Sequence, residues 1–191
     1  RRLKEDMNKD PNGSSCHRIS TNLLMLGKTM AGVRVYDIIR TIDYLETRED
    51  VDSSRIGCMG ISGGGLVCAF TSAIDQRIAA AVVSGYANTF EASVLSIFHC
   101  VDNFIPGLLK HAEMPDILGL IAPRPLLIES GISDPIFPIH AAKQAYDQLK
   151  QVYKLLNVED RLEYDFFKGE HQISGVKAYP WLEKWLMYRD K

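Results

Sequence analysis

Arg55-Ile56-Gly57-Cys58-Met59-Gly60-Ile61-Ser62-Gly63-Gly64-Gly65 decides how this chain folds. The turn-like Asp52-Ser53-Ser54 comes before it, and the apolar, helix-forming run from Leu66 to Ile74 comes after it. Arg55 to Gly60 reads as a short buried strand and Gly63 to Ile74 as a helix, so Ser62 stands where the backbone turns from one into the other. Gly60-x-Ser62-x-Gly64 in that setting is the pattern of a nucleophile elbow. Glycine at 60 and 64 leaves room for a sharp turn that a Cβ would crowd. The turn lifts the Ser62 hydroxyl clear of the sheet. It also brings the Gly63 N–H, at a helix N-terminus, toward an oxyanion forming on a bound substrate.

Outward from this stretch, the chain alternates strand and helix. Ile78 to Gly85 and Pro125 to Ser130 are continuous apolar runs bounded by turn residues, which suits strands covered on both faces. Leu162 to Phe167 alternates and belongs nearer an edge. The spacing predicts helices over 21–48 and 139–156 and a last helix from Ser174, started or kinked at Pro180. On the first of these, Arg34, Arg40, Glu46 and Arg48 are expected to be solvated. Residues 87–120 break the rhythm: 93–100 and 114–120 read as short helices around a turn at 104–109, an insertion of the kind that forms a cap over a site. Residues 1–20 read as polar and turn-rich, with a loop at 10–15. The order implies an α/β fold with a parallel sheet flanked by helices.

A serine hydroxyl is a weak nucleophile at neutral pH and needs a base within hydrogen-bonding reach. Of the five histidines, His171 stands in Lys168-Gly169-Glu170-His171-Gln172, after the last strand and before the last helix. That places it at the sheet edge that carries Ser62. The acid that would orient it must follow another strand at the same edge, and Asp134, in Ser130-Gly131-Ile132-Ser133-Asp134-Pro135, does so. Glu129 is the second choice for the acid, and Glu170, adjacent to the histidine, points elsewhere. The order Ser62, Asp134, His171 is that of the α/β-hydrolase arrangement and not of the two common protease arrangements.

The stretches Val35 to Leu45, Arg55 to Gly65, Ile132-Ser133-Asp134 and Gly169-Glu170-His171 resemble the carboxyl-terminal part of an α/β-hydrolase of the dienelactone hydrolase and acetyl xylan esterase-like group. The resemblance runs from about residue 22 to the end. It implies hydrolysis of a small or acetylated carboxylic ester through an acyl-serine intermediate, with Ser62, Asp134 and His171 catalytic, Gly63 in the oxyanion hole, and neither metal nor organic cofactor. Such folds have about eight strands, with a second oxyanion donor on a loop after an early strand. Only four strands are read here. Residues 1–191 are therefore expected to form one catalytic domain lacking its front half, and the loss of one donor costs ~10²–10³ in turnover. A peptidase of the prolyl oligopeptidase type shares the triad and its order, and a non-catalytic binding module is a third reading.

Composition narrows the remaining classes. The chain has 22 basic and 24 acidic residues, a net charge of −2 and 46% hydrophobic residues. This makes no electrostatic case for nucleic acid or an anionic membrane, and no apolar run is long enough to span a bilayer. The expected partner is a small-molecule ester, with self-association left open. Cys16, Cys58, Cys68 and Cys100 form no C-x-x-C pair, and a chain of this size does not need disulfides, which fits a cytoplasmic location. Gly27-Lys28-Thr29 looks like the tail of a phosphate-binding loop but lacks the required glycine at 22 and a preceding strand. His99, Cys100 and Asp102 lack the usual zinc spacing and read as packing residues.

Overall fold

The computed structural model describes Lys4 and residues 15–187. Four strands, β1 (Ile56–Ile61), β2 (Ile78–Ser84), β3 (Leu126–Gly131) and β4 (Leu162–Phe167), form one sheet in the order β1-β2-β3-β4. Every neighbouring pair is parallel. The helices are α1 (Cys16–Met25), α2 (Met30–Glu46), α3 (Gly63–Ile74), α4 (Met114–Gly119), α5 (Ile139–Leu155) and α6 (Ala178–Met187). All four strands, α3, α5 and the last helix lie where the hydrophobic pattern puts them.

The continuous apolar runs are continuous because the inner strands are covered on both faces. Every residue of β2 and β3 is buried. Successive side chains alternate between faces. Ala81, Val83, Leu126 and Ile128 join a large cluster with Leu66, Ala69, Leu118, Leu149 and Tyr153 from α3, α4 and α5. Val82 and Leu127 point the other way, against Ala178 and Trp181 of α6. β4 lies at the sheet edge and mixes buried with half-exposed positions, as its alternation predicts.

Three expectations are corrected. The predicted helix over 21–48 is two helices, α1 and α2, separated at Leu26–Thr29. Gly27 takes φ +66°, and the Thr29 hydroxyl accepts from Gly32 N–H at 3.0 Å, capping α2. The phosphate-loop look-alike is thus an inter-helix turn. The start of α1 at Cys16 also places helix in a part of 1–20 read as turn; the expected loop at 10–15 lies outside the described residues except for Ser15. Third, 93–100 is turn rather than helix. There Ser93 N–H bonds Thr89 C=O at 3.2 Å, but Leu95 N–H bonds Phe90 C=O and Ser96 N–H bonds Ser93 C=O, so the backbone bonds change spacing in place of a helical ladder. The Ser93 and Ser96 hydroxyls add bonds to Thr89 C=O at 2.6 Å and Ala92 C=O at 2.9 Å.

Candidate active site

The C-terminal ends of the strands gather the predicted site residues. Ser62, between β1 and α3, has φ +56° and ψ −121°. This is a strained backbone for a residue with a side chain, and it is found where the surrounding structure enforces it. The enforcement is visible. Ser62 N–H donates to Ser84 C=O at 3.1 Å, and a Cβ on Gly60 would lie 2.2 Å from the Gly64 carbonyl oxygen. Gly64 itself faces open space, so of the two glycines expected to relieve crowding, only Gly60 does so directly. Gly65 is the second close approach, since a Cβ there would stand 2.7 Å from Tyr86 Cβ and 2.9 Å from the Ser84 carbonyl oxygen.

Asp134 and His171 come from the loops after β3 and β4. His171 Nδ1–H donates to Asp134 Oδ2 at 2.7 Å, and the Asp134 side chain is fully buried. The other oxygen, Oδ1, accepts from the backbone N–H groups of Ile136 (2.8 Å) and Phe137 (3.0 Å). This carboxylate is thereby aimed from both ends. The two loops are joined by backbone bonds, Ile132 N–H to Phe167 C=O and Ser133 N–H to Gly169 C=O, each 2.9 Å. They approach so closely that a Cβ on Gly131 would fall 2.1 Å from the Glu170 carbonyl oxygen. Phe137 stacks on the imidazole, with ring centroids 5.7 Å apart at 20°.

The imidazole packs against the end of β2. Its Cε1 lies 3.1 Å from the position a Cβ would take on Gly85, and Ile61 Cγ1 lies 3.4 Å from the same point. Ser62 and His171 therefore flank one corner, Ser84-Gly85, at the end of β2. His171 Nε2 is buried and has no hydrogen-bond partner among the described residues. Glu129, the second choice for the acid, is occupied elsewhere. Fully buried, it accepts from the Ser84 hydroxyl at 2.5 Å and from Gly175 N–H at 2.8 Å, tying the segment before α6 to the sheet. Glu170 is exposed.

One residue at the site was read differently from the sequence. Arg34 of α2, expected in solvent, turns inward. Its Nη1 bonds Asp102 Oδ2 at 2.9 Å and lies 3.3 Å from the point a Cβ on Gly63 would occupy. Asp102 is buried, and its Oδ1 accepts from the Asn103 amide at 3.1 Å. The ion pair joins positions 68 residues apart, from 102−34, and no local spacing announces it. The signal available in the sequence was Gly63, which leaves that space empty. Ligand atoms of Cys16, Cys100 and Asp102 lie within 4.8 Å of one another, the grouping among the described residues with a metal-like donor set. Both oxygens of its carboxylate are already engaged by Arg34 and Asn103.

Against known proteins, residues 17–92 match the prolyl oligopeptidase family. The chain is 31% identical over 185 residues to "Putative hydrolase YtaP" of Bacillus subtilis (strain 168), an alignment that covers 93% of this chain and 61% of that protein. Among solved structures, a "putative acetyl xylan esterase" of Bacteroides fragilis NCTC 9343 superposes with a TM-score of 0.79 at 19% identity, covering 96% of this chain and 55% of the other. A carbohydrate esterase family 15 glucuronoyl esterase from Caldicellulosiruptor kristjansonii superposes with a TM-score of 0.66 at 18% identity, covering 82% and 50%. The chain thus spans between half and two thirds of these proteins. The parallel sheet, the strand–Ser62–helix turn and these likenesses make the chain an α/β-hydrolase by fold.

Proposed function

We propose that this chain carries the catalytic machinery of a serine esterase acting on small or acetylated carboxylic esters. The observation that supports this best is His171. One ring nitrogen is fixed on a buried carboxylate, while the other is buried and without a partner among the described residues. The ring lies against Gly85, next to Ser84, whose carbonyl accepts from Ser62 N–H. In this reading Ser62 Oγ attacks the ester carbonyl carbon and passes its proton to His171 Nε2. Asp134 holds the imidazole in the required tautomer and stabilises the imidazolium. The carbonyl oxygen becomes an oxyanion facing Gly63 N–H. When the tetrahedral species collapses, the bond to the alcohol oxygen breaks and that oxygen takes the proton from His171. Acyl-Ser62 remains. Water then attacks the acyl carbon, giving a proton to His171; the bond to Ser62 Oγ breaks, His171 returns the proton to that oxygen, and the acid leaves.

The match to the prolyl oligopeptidase family favours a second reading, cleavage of a peptide bond by the same triad. That match ends at residue 92, short of Asp134 and His171, and the named relatives are a hydrolase and esterases. Ester cleavage is the better-supported choice. The test is hydrolysis of p-nitrophenyl acetate and labelling by a fluorophosphonate, with Ser62→Ala as control. The expected result is turnover and labelling by the parent and background for the variant, a loss on the order of 10⁶-fold where a whole triad acts. A folded parent that neither labels nor turns over defeats the proposal, and turnover of a prolyl-peptide substrate in place of the ester moves it to the peptidase reading.

A further inference from the structure

Gly63 follows the elbow serine, and its N–H is the one oxyanion donor that the reading above supplies. A side chain at that position would project into the space beside the N–H. Glycine leaves that space empty, and the Arg34 guanidinium fills it, with Nη1 3.3 Å from where the Cβ would be. Cα-to-Cβ geometry puts that Cβ point roughly 2.5 Å from the Gly63 nitrogen. The cation therefore borders the residue that carries the oxyanion-hole N–H.

The guanidinium is also prepared for such a task. It has five N–H donors in a rigid fork, and Asp102 engages Nη1. Asp102 is buried and fixed in turn by Asn103, so the fork is oriented before substrate arrives. The Arg34 side chain keeps 27% of its surface exposed, and the nitrogen nearest Gly63, Nη1, has a second N–H beyond the one Asp102 can engage. A cation already neutralised by a buried carboxylate is poorly suited to capture a second, free carboxylate. It is well suited to donate to a charge that exists only during reaction, which is where fixed donors accelerate chemistry most.

We infer that Arg34 is a second oxyanion donor, a side chain from α2 acting beside the backbone N–H of Gly63. The inference rests on the serine esterase reading. No covalent step is added: the guanidinium donates a hydrogen bond to the carbonyl oxygen of the substrate as it becomes negative, and withdraws it as the acyl-enzyme forms.

Arg34→Gln keeps much of the side chain's bulk and removes the charge. The measurements are kcat and KM on p-nitrophenyl acetate, inhibition by phenylboronic acid, which forms a tetrahedral adduct on the serine, and the melting temperature. We expect kcat to fall ~10²-fold with KM within about threefold, boronate affinity to fall in parallel, and the melting temperature to drop because buried Asp102 loses its cation. Should Arg34→Gln fail to fold, Arg34→Lys decides the matter. It keeps a cation for Asp102 but loses the fork, so kcat is expected to drop about tenfold with unchanged melting. An active parent whose folded variant retains kcat and boronate affinity within threefold overturns the Arg34 role and leaves the esterase reading intact. Loss confined to p-nitrophenyl hemisuccinate, with acetate unaffected, overturns it too, because Arg34 would then be a binder of substrate carboxylates. A folded parent that neither labels with fluorophosphonate nor turns over defeats both.

Discussion

The two sides of the site are built by different means. On the base side, the Asp134 and His171 loops are stitched together by backbone bonds at 2.9 Å, and the carboxylate is fully buried with all its contacts made. On the nucleophile side, the turn around Ser62 is set by close glycine approaches. The neighbouring charge, Arg34, is held by a side-chain ion pair to Asp102 in a short 3-10 helix, Val101–Asn103. Backbone bonds between strand ends are fixed once the sheet forms. An ion pair between an α-helix and a short 3-10 helix depends on two side chains holding their rotamers. The base side should therefore tolerate distant change and punish local change severely, while the nucleophile side should respond in smaller, graded steps.

Asp134→Asn is the sharpest way to break the base side. The amide can still accept from Ile136 and Phe137 N–H, so the loop keeps its shape, but it no longer compels Nδ1–H and no longer stabilises the imidazolium. The expected loss in kcat is roughly 10⁴-fold, with the fold intact by circular dichroism. A loss under tenfold would mean that Asp134 only braces the loop and that another group orients His171.

Asp102→Asn addresses the other side. The pair it breaks is partly exposed at Arg34, so the expected effect is about 1 kcal/mol, or roughly fivefold in kcat, with KM and melting nearly unchanged. A drop comparable to that of Asp134→Asn would show that the two sides are built with equal rigidity. An unchanged kcat would show that Arg34 needs no anchor.

The same contrast governs what could be read in advance. β2 and β3 were legible because strands buried on both faces must be apolar throughout, and Ile78–Ser84 and Leu126–Gly131 are. Asp134 and His171 were legible because chain order places any residue after a parallel strand at one edge of the sheet. Arg34 was not, since its partner lies in a single 3-10 turn of three residues, Val101–Asn103, too short to show a period, and its spacing on α2 matches a solvent-facing position. The segment 93–100 misled for a local reason: its apolar spacing suits a helix, yet Leu95 N–H bonds Phe90 C=O and Ser96 N–H bonds Ser93 C=O, spacings that break the helical ladder. Gly64 misled because the motif names two glycines without saying which backbone each one touches.

The break between α1 and α2 was equally hidden, and it supplies the smallest effect. Leu26, Met30 and Val33 continue one apolar stripe across Gly27-Lys28-Thr29, so periodicity alone carries a helix through the turn. What ends it is Gly27 in the left-handed region, with the Leu26 and Gly27 N–H groups bonded back to Leu23 and Leu24 carbonyls. What restarts the chain is the Thr29 hydroxyl on Gly32 N–H. Thr29→Ala removes that cap and should lower stability by about 1 kcal/mol. It should leave kcat unchanged, because Arg34 stands beyond the first turn of α2 and is held from the far side by Asp102. If kcat falls along with stability, the start of α2 helps aim Arg34, and the ion pair alone does not account for its position.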